Sequence, residues 1–146
     1  MRLERNFYLR SAEEGARDFL GKPLVHKTKL GRIAGVIDEV EAYPAFVDEI
    51  HHGNKRTPRT EIIWGRGGFA YVYLIYGVWH QFGAVMNKEG IPDLVLIRGI
   101  ILTEGKEIVE RVWRGQLKES IIDYTNGPGK LCKAFRIGLG EYGADL

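Results

Sequence analysis

The sequence predicts one domain of the α+β class, a single β-sheet with flanking helices, on three observations. The chain has 146 residues, which is room for one hydrophobic core and not for two. Its strongest apolar periodicities have the strand period of two and fall in neighbouring runs with glycine between them. Its helix signals are short and scattered around those runs, each with its own cap or stop residue. Apolar residues make up 45% of the chain and charged residues 27%, the balance of an ordinary soluble globule.

Taken in order, Ser11-Ala12-Glu13-Glu14 is a capping box, so a helix is expected over residues 12–20, with Gly21 as its left-handed stop. Residues 24–28 and 33–43 read as two strands joined at Gly31. Alternation along the second sets Val36, Val40 and Ala42 on one face and Ile37, Glu39, Glu41 and Tyr43 on the other. Thr57-Pro58-Arg59 has the form of a helix start, threonine as cap and proline at the first helical position, for a helix running to Trp64. Residues 69–76 form the strongest strand, Gly77 permits a turn, and residues 78–82 return as its hairpin partner. Leu94-Val95-Leu96-Ile97 is a buried strand closed by Arg98. Thr103 is expected to cap a helix over residues 104–114, with Ile108, Val109, Val112 and Trp113 as its apolar stripe and Gly115 as its stop. Asn126-Gly127-Pro128-Gly129-Lys130 opens a last helix over residues 131–136.

Several classes are argued against. One cysteine, Cys132, allows no internal disulfide and no cysteine cage for a metal, and it reads as a small buried apolar residue. His51 and His52 are adjacent on an extended stretch and point to opposite sides, so they do not chelate one ion; no metal site is expected. The Gly65-Arg66-Gly67-Gly68 loop lacks the spacing of a phosphate loop or dinucleotide fingerprint. No apolar run approaches the ~18 residues of a membrane helix and the N-terminus has no apolar signal core, so a cytoplasmic protein without membrane partners is expected.

The residues that can carry chemistry stand apart from these. Carboxylates resist burial unless paired, so a strand with Asp38, Glu39 and Glu41 is a poor choice for stability alone. It is either an edge strand with one solvated face or a strand that sets Glu41 beside Tyr43 in a cleft, with one of the two adjacent histidines facing it. Arg98, closing an apolar run, needs a carboxylate partner, and Glu41 is a candidate. Bulk charge is only +2, but residues 51–68 hold Lys55, Arg56, Arg59 and Arg66 against the single acid Glu61. That stretch is a solvated basic loop or a seat for a phosphate-bearing partner. Arg59 in a first helical turn opposes the helix dipole unless an anion is near. Lys130 and the free amides at the start of the last helix make a second phosphate seat. Tyr76 and Trp79 flank a turn, where large rings are exposed rather than core; beside a basic patch they suit base stacking or wedging into a duplex.

An ordered set of stretches resembles the alkyladenine (3-methyladenine, or methylpurine) DNA glycosylases. They are residues 16–22 (ARDFLGK), Val40-Glu41-Ala42-Tyr43, Asp48 with His52, Thr57-Pro58-Arg59, residues 71–77 (YVYLIYG), residues 94–98 (LVLIR) and residues 127–132 (GPGKLC). The resemblance spans essentially the whole chain, residues 1–146. It implies a curved, mostly antiparallel sheet with flanking helices and a protruding hairpin that enters DNA. It also implies a monofunctional enzyme without metal or cofactor that hydrolyses the N-glycosidic bond of damaged purines in double-stranded DNA. By the same resemblance Glu41 activates water and Arg98 helps hold it, Tyr43 and Tyr73 stack on the flipped base, His52 lines the pocket, and Tyr76 is the wedge with Trp79 beside it. The chemistry suits these types: a buried base must be rotated out before a side chain can reach its sugar bond, and alkylation makes it a cation that aromatic faces prefer.

Two departures accompany the resemblance. The family places asparagine seven residues after the wedge tyrosine, on the pocket floor; here that residue is Gly83, so weaker exclusion of guanine lesions is expected, with Asn87 as a partial substitute. The family also continues beyond the point where this chain stops, through strands that help close the pocket. The pocket here is then more open, completed by a second copy in a homodimer, or inactive. The rival to an enzyme is a silent DNA-damage-binding protein that keeps wedge and clamp.

Overall fold

In the computed structural model, which describes residues 2–47, 49–114, 116, 118 and 120–146, five strands form one antiparallel sheet. They are β1 (Pro23–Thr28), β2 (Gly31–Tyr43), β3 (Ala70–Ile75), β4 (Trp79–Met86) and β5 (Asp93–Glu104), in the spatial order β1-β2-β5-β4-β3. Helices α1 (Arg5–Tyr8), α2 (Ala12–Phe19), α3 (Lys106–Val112) and α4 (Pro128–Phe135) flank it, which is the α+β class the sequence predicts. Among the described residues no helix is long and apolar enough to cross a membrane. Asp48 and the expected helix stop Gly115 lie outside the described residues.

The period of two divides the sheet into two faces. On one, Val72, Phe82, Met86, Val95 and Ile97 meet Phe19 of α2 and Leu131 and Phe135 of α4 in the main core. Each large side chain so buried contributes roughly 1.5–3 kcal/mol. On the other face a smaller cluster of Ile63, Tyr71, Tyr73, Val85 and Leu94 is bordered by Tyr43. The capping box of α2 forms as expected: Ser11 Oγ accepts from Glu14 N at 3.3 Å and Glu14 Oε2 accepts from Ser11 N at 3.3 Å. Buried Asp93 ties this helix to the sheet, accepting from the backbone N–H of Ala12 and of Ala45 at 2.8 Å each.

Several expectations are corrected. The segment from Thr57 does not open an α-helix. Thr60 Oγ1 accepts from Thr57 N at 2.9 Å and donates to Lys55 O at 2.5 Å, so the hydroxyls compete for the backbone and leave a turn followed by a short 3-10 helix, Glu61–Trp64. Thr103 caps nothing: Ala34 pairs with Glu104, the strand outlasts the cap signal, and Gly105, at φ 84°, makes the turn into α3. Ile37 joins the main core with Val40 and Ala42, because the pairing of β2 with β5 shifts register between Ile37 and Glu39. Helix α1 carried no recognisable signal in the sequence.

Candidate active site

The acid-bearing half of β2 lies beside β5, with Glu41 opposite Leu96 and Tyr43 opposite Leu94. Arg98 reaches both acids on that face. Its Nη1 donates to Glu41 Oε2 at 3.0 Å and its Nε to Glu39 Oε1 at 3.1 Å. All three side chains are part-exposed, at 37% for Arg98, 43% for Glu41 and 59% for Glu39, so each pair adds at most ~1 kcal/mol to stability. Burial works against the Arg98 charge, but the bonds to Glu39 and Glu41 outweigh it and raise its pKa.

Aromatic rings stand next to this triad. Tyr73 stacks on Tyr71 with centroids 5.0 Å apart, meets His52 edge-on at 4.9 Å and donates its hydroxyl to Gln81 Oε1. Burial above all, with Tyr43, Tyr71 and Glu41 adding to it, holds the Tyr73 phenol well above its usual range. Burial, then the charge of Arg59, then His51, lowers the pKa of His52, so its ring is neutral at pH 7. The two histidines sit at the start of a 3-10 helix, His52–Asn54, rather than on an extended stretch, and both line one cavity: His51 is buried, with Nδ1 accepting from Gly53 N at 3.3 Å and Nε2 facing Pro92 O, while His52 is exposed. His51 therefore holds the loop, its ring 5.6 Å from that of Tyr43. Together Tyr43, Ile50, His51, His52, Tyr73 and Leu94 enclose a cavity of about 40 Å³, the size of little more than one water at ~30 Å³. Two wider clefts, of about 560 and 650 Å³, contain neither Glu41, Arg98 nor these tyrosines.

The hairpin tip is exposed. Tyr76 is 87% accessible, with Leu74 at 41% and Val78 at 70% beside it. Tyr76 and Gly77 both have positive φ, 52° and 67°, and Val78 N donates to Ile75 O at 3.2 Å, the pattern of a type I′ turn. A bulky aromatic in this left-handed conformation costs ~1 kcal/mol or more. Trp79 is less free: a Cβ on Gly129 would fall 2.9 Å from its ring, so the indole lies on the first turn of α4. That contact brings the start of α4, with Lys130 bonded to Asn126 Oδ1 at 2.8 Å, up to the hairpin.

Other candidates fall out differently. Arg59 places its charge against His52, Tyr71 and Tyr73, whereas Arg56 is bonded to Glu61 at 2.9 Å through Nε, which thins the basic stretch. Gly83 lies opposite Leu96, and a Cβ there would meet Leu94 Cδ1 and Val95 O at 3.0 Å, so Leu94 leans over the floor position. Asn87 does not stand in for an asparagine there, since its amide donates to Asp93 at 3.1 Å. Cys132 is buried in α4, which pushes its thiol up to about 12, and His26 bonds Phe135 O at 2.7 Å; neither enters the site. Among the described residues no group of three or more His, Cys, Asp or Glu side chains is placed to hold a metal. Glu39, Leu94 and Val78 were not singled out from the sequence. Only Glu39 had a visible signal, its place two residues before Glu41 on the same strand face.

A family model described as methylpurine-DNA glycosylase (MPG) matches residues 6–146. The chain belongs to the methylpurine-DNA glycosylase family. Three relatives carry the name "Putative 3-methyladenine DNA glycosylase". The one from Desulfitobacterium hafniense is 41% identical over 99% of this chain and 75% of its own length. That from Alkaliphilus oremlandii is 42% identical over 100% of this chain and 76% of its own. The Clostridium acetobutylicum protein is 43% identical over 94% of this chain and 70% of its own. Membership of this family makes damaged DNA the partner class.

Proposed function

We propose that this family member excises alkylated or deaminated purines from double-stranded DNA, rotating the damaged nucleotide out of the helix and directing water at its N-glycosidic bond. The reading is carried by one observation: Glu41, held by Arg98 at 3.0 Å, stands on the sheet face that also presents Tyr43 and Tyr73. Arg98 occupies Oε2 of Glu41, while Oε1 accepts a proton from the attacking water. The water oxygen bonds to the sugar C1′, the C1′–N bond breaks, and its electron pair leaves with the base; a cationic N3- or N7-alkylated purine thereby departs neutral, whereas hypoxanthine or ethenoadenine leaves as an anion and takes a proton from solvent. Positive charge that builds on the sugar meets the carboxylate of Glu41. Among the described residues no lysine is assigned a nucleophile's place, and the proposed product is an abasic site in an intact strand, with no lyase step. The mechanism needs no metal or cofactor.

Tyr76 serves as the wedge that fills the gap left by the flipped nucleotide, and Trp79, seated on α4, props it. Arg59, Lys130 and the first turn of α4 are assigned to backbone phosphates. Tyr43, Tyr73 and neutral His52 receive the base, with Gly83 and Leu94 as an apolar floor. A cavity of 40 Å³ does not admit a purine, so the base pocket must widen on binding.

The same small cavity favours a second reading, a silent binder of damaged DNA. Single-turnover release of methylpurines, ethenoadenine and hypoxanthine from duplex oligonucleotides decides between them. The wild type should release base, and Glu41→Gln should be slower by roughly 10²–10⁴-fold; tight binding without release by the wild type establishes the silent binder. The same assay tests the floor: Gly83→Asn, which must displace Leu94, should lower release of 7-methylguanine relative to methyladenine, and an unchanged ratio removes Gly83 from specificity. Light scattering on the active preparation tests the homodimer, since a fully active monomer has no need of a second copy.

A further inference from the structure

Glu39 is the acid that the mechanism above leaves unused. It stands two residues before Glu41, and Arg98 bonds it through Nε at 3.1 Å while bonding Glu41 through Nη1 at 3.0 Å. Two bonds from different nitrogens of one planar guanidinium fix its plane as well as its position. The backbone is shaped for this. Pairing runs Ile37 to Ile100, Glu39 to Gly99, then Val40 to Ile97, so Asp38 on β2 and Arg98 on β5 are each an extra residue without a partner. Such bulges re-aim side chains, and here the second lifts Arg98 out of the ladder and toward the acids. Gly99 permits the arrangement: a Cβ there would come within 2.6 Å of Asp38 Oδ1 and 3.1 Å of Glu39 Cβ.

We propose that Glu39 is a positioning residue, which pins Arg98 through Nε so that the guanidinium engages one oxygen of Glu41 and leaves the other for water. An arginine near a lone carboxylate tends to grip both oxygens with two parallel N–H groups. Such a grip on Glu41 would saturate both oxygens with donors and take away the acceptor that the attacking water needs. Glu39 opposes it by holding Nε–H, which fixes the guanidinium in the orientation where Nη1 meets a single oxygen of Glu41. A surface acid of purely structural use would act differently. Exposed as it is, Glu39 contributes little to stability, so its removal would change neither folding nor rate.

This inference rests on the proposed excision activity, and two substitutions separate them. Glu39→Gln keeps an acceptor oxygen for Nε–H, whereas Glu39→Ala keeps none. In single-turnover excision under saturating enzyme, Glu39→Ala should lose roughly 10- to 100-fold in maximal rate. Its half-saturating concentration and melting temperature should stay near wild type, and Glu39→Gln should recover most of the loss. Wild-type rates in Glu39→Ala, or a Gln variant as slow as the Ala variant, overturn the positioning role. If the wild type releases no base, the excision reading has failed instead. Nitrogen-detected NMR of the guanidinium then still tests the pin: slow rotation about the Arg98 Cζ–N bonds in wild type and fast rotation in Glu39→Ala supports it, and equal rotation in the two overturns it.

Discussion

The two faces of the sheet are made by the same strands and do opposite work. On the helix-covered face, Ala70, Val72, Phe82, Ala84, Met86, Val95 and Ile97 are all buried and apolar, closed over by α2 and α4. On the other, β2 presents Glu39 and Glu41, β5 presents Arg98, and β3 presents Tyr71 and Tyr73, covered in part by the short 3-10 helices His52–Asn54 and Glu61–Trp64. The main core and the proposed chemistry therefore lie on opposite faces, one residue apart along the strands. Changes on opposite faces with no shared partner should add independently.

The largest break is expected on the covered face. Phe135 is fully buried between α4 and the sheet. Phe135→Ala should cost roughly 3–5 kcal/mol in urea unfolding, while the folded fraction excises base at the wild-type rate. A proportionate loss of single-turnover rate in the folded protein would show that the faces are coupled. The hairpin should respond with the opposite sign. A type I′ turn favours Asn-Gly, so Tyr76→Asn should raise stability by about 1 kcal/mol by relieving an aromatic at φ 52°. The same change removes the proposed wedge and should slow excision roughly tenfold or more. A variant that loses stability, or keeps its full rate, would refute the claim that strain here is kept for use.

How much of this was legible in the sequence follows the same division. Glu41 and Tyr43 could be read because two neighbours on one strand face need only local alternation. Arg98 could be read because a charge closing an apolar run demands a partner, and the exposed tyrosine could be read from the glycine beside it. The double bulge could not: Asp38 and Arg98 look like ordinary strand residues, and only their mutual register moves Ile37 into the core. Asp93, between a proline and an apolar run, looks like a loop acid, yet it is buried and satisfies two backbone N–H groups from distant segments. The threonines at 57, 60 and 103 carry real cap chemistry, but the hydroxyls of Thr57 and Thr60 found nearer backbone partners, and strand pairing claimed Thr103. The local signals at Ser11 and Gly77 held, and those at Thr57 and Thr103 gave way to competing hydroxyls and to strand pairing.

The smallest expected effect sharpens the comparison most, because it reads the charge of the open face alone. Burial, Arg59 and His51 lower the pKa of His52 below its ordinary value of 6.5. The unfolded chain then binds this proton more readily than the folded one, so stability is full above the ordinary value and declines as pH falls through the lowered one. His52 is largely exposed, so the loss should be a few tenths of a kcal/mol. The functional consequence is clearer. A protonated His52 would set a cation against an alkylated base that is itself a cation, whereas the neutral ring offers no repulsion. On a 7-methylguanine duplex, the ratio of wild-type to His52→Gln rate should hold steady above pH 7 and fall below pH 6. Taking the ratio cancels any acid dependence common to both enzymes. A ratio flat from pH 5 to 8 would place His52 outside the base pocket and leave Tyr43 and Tyr73 as its walls.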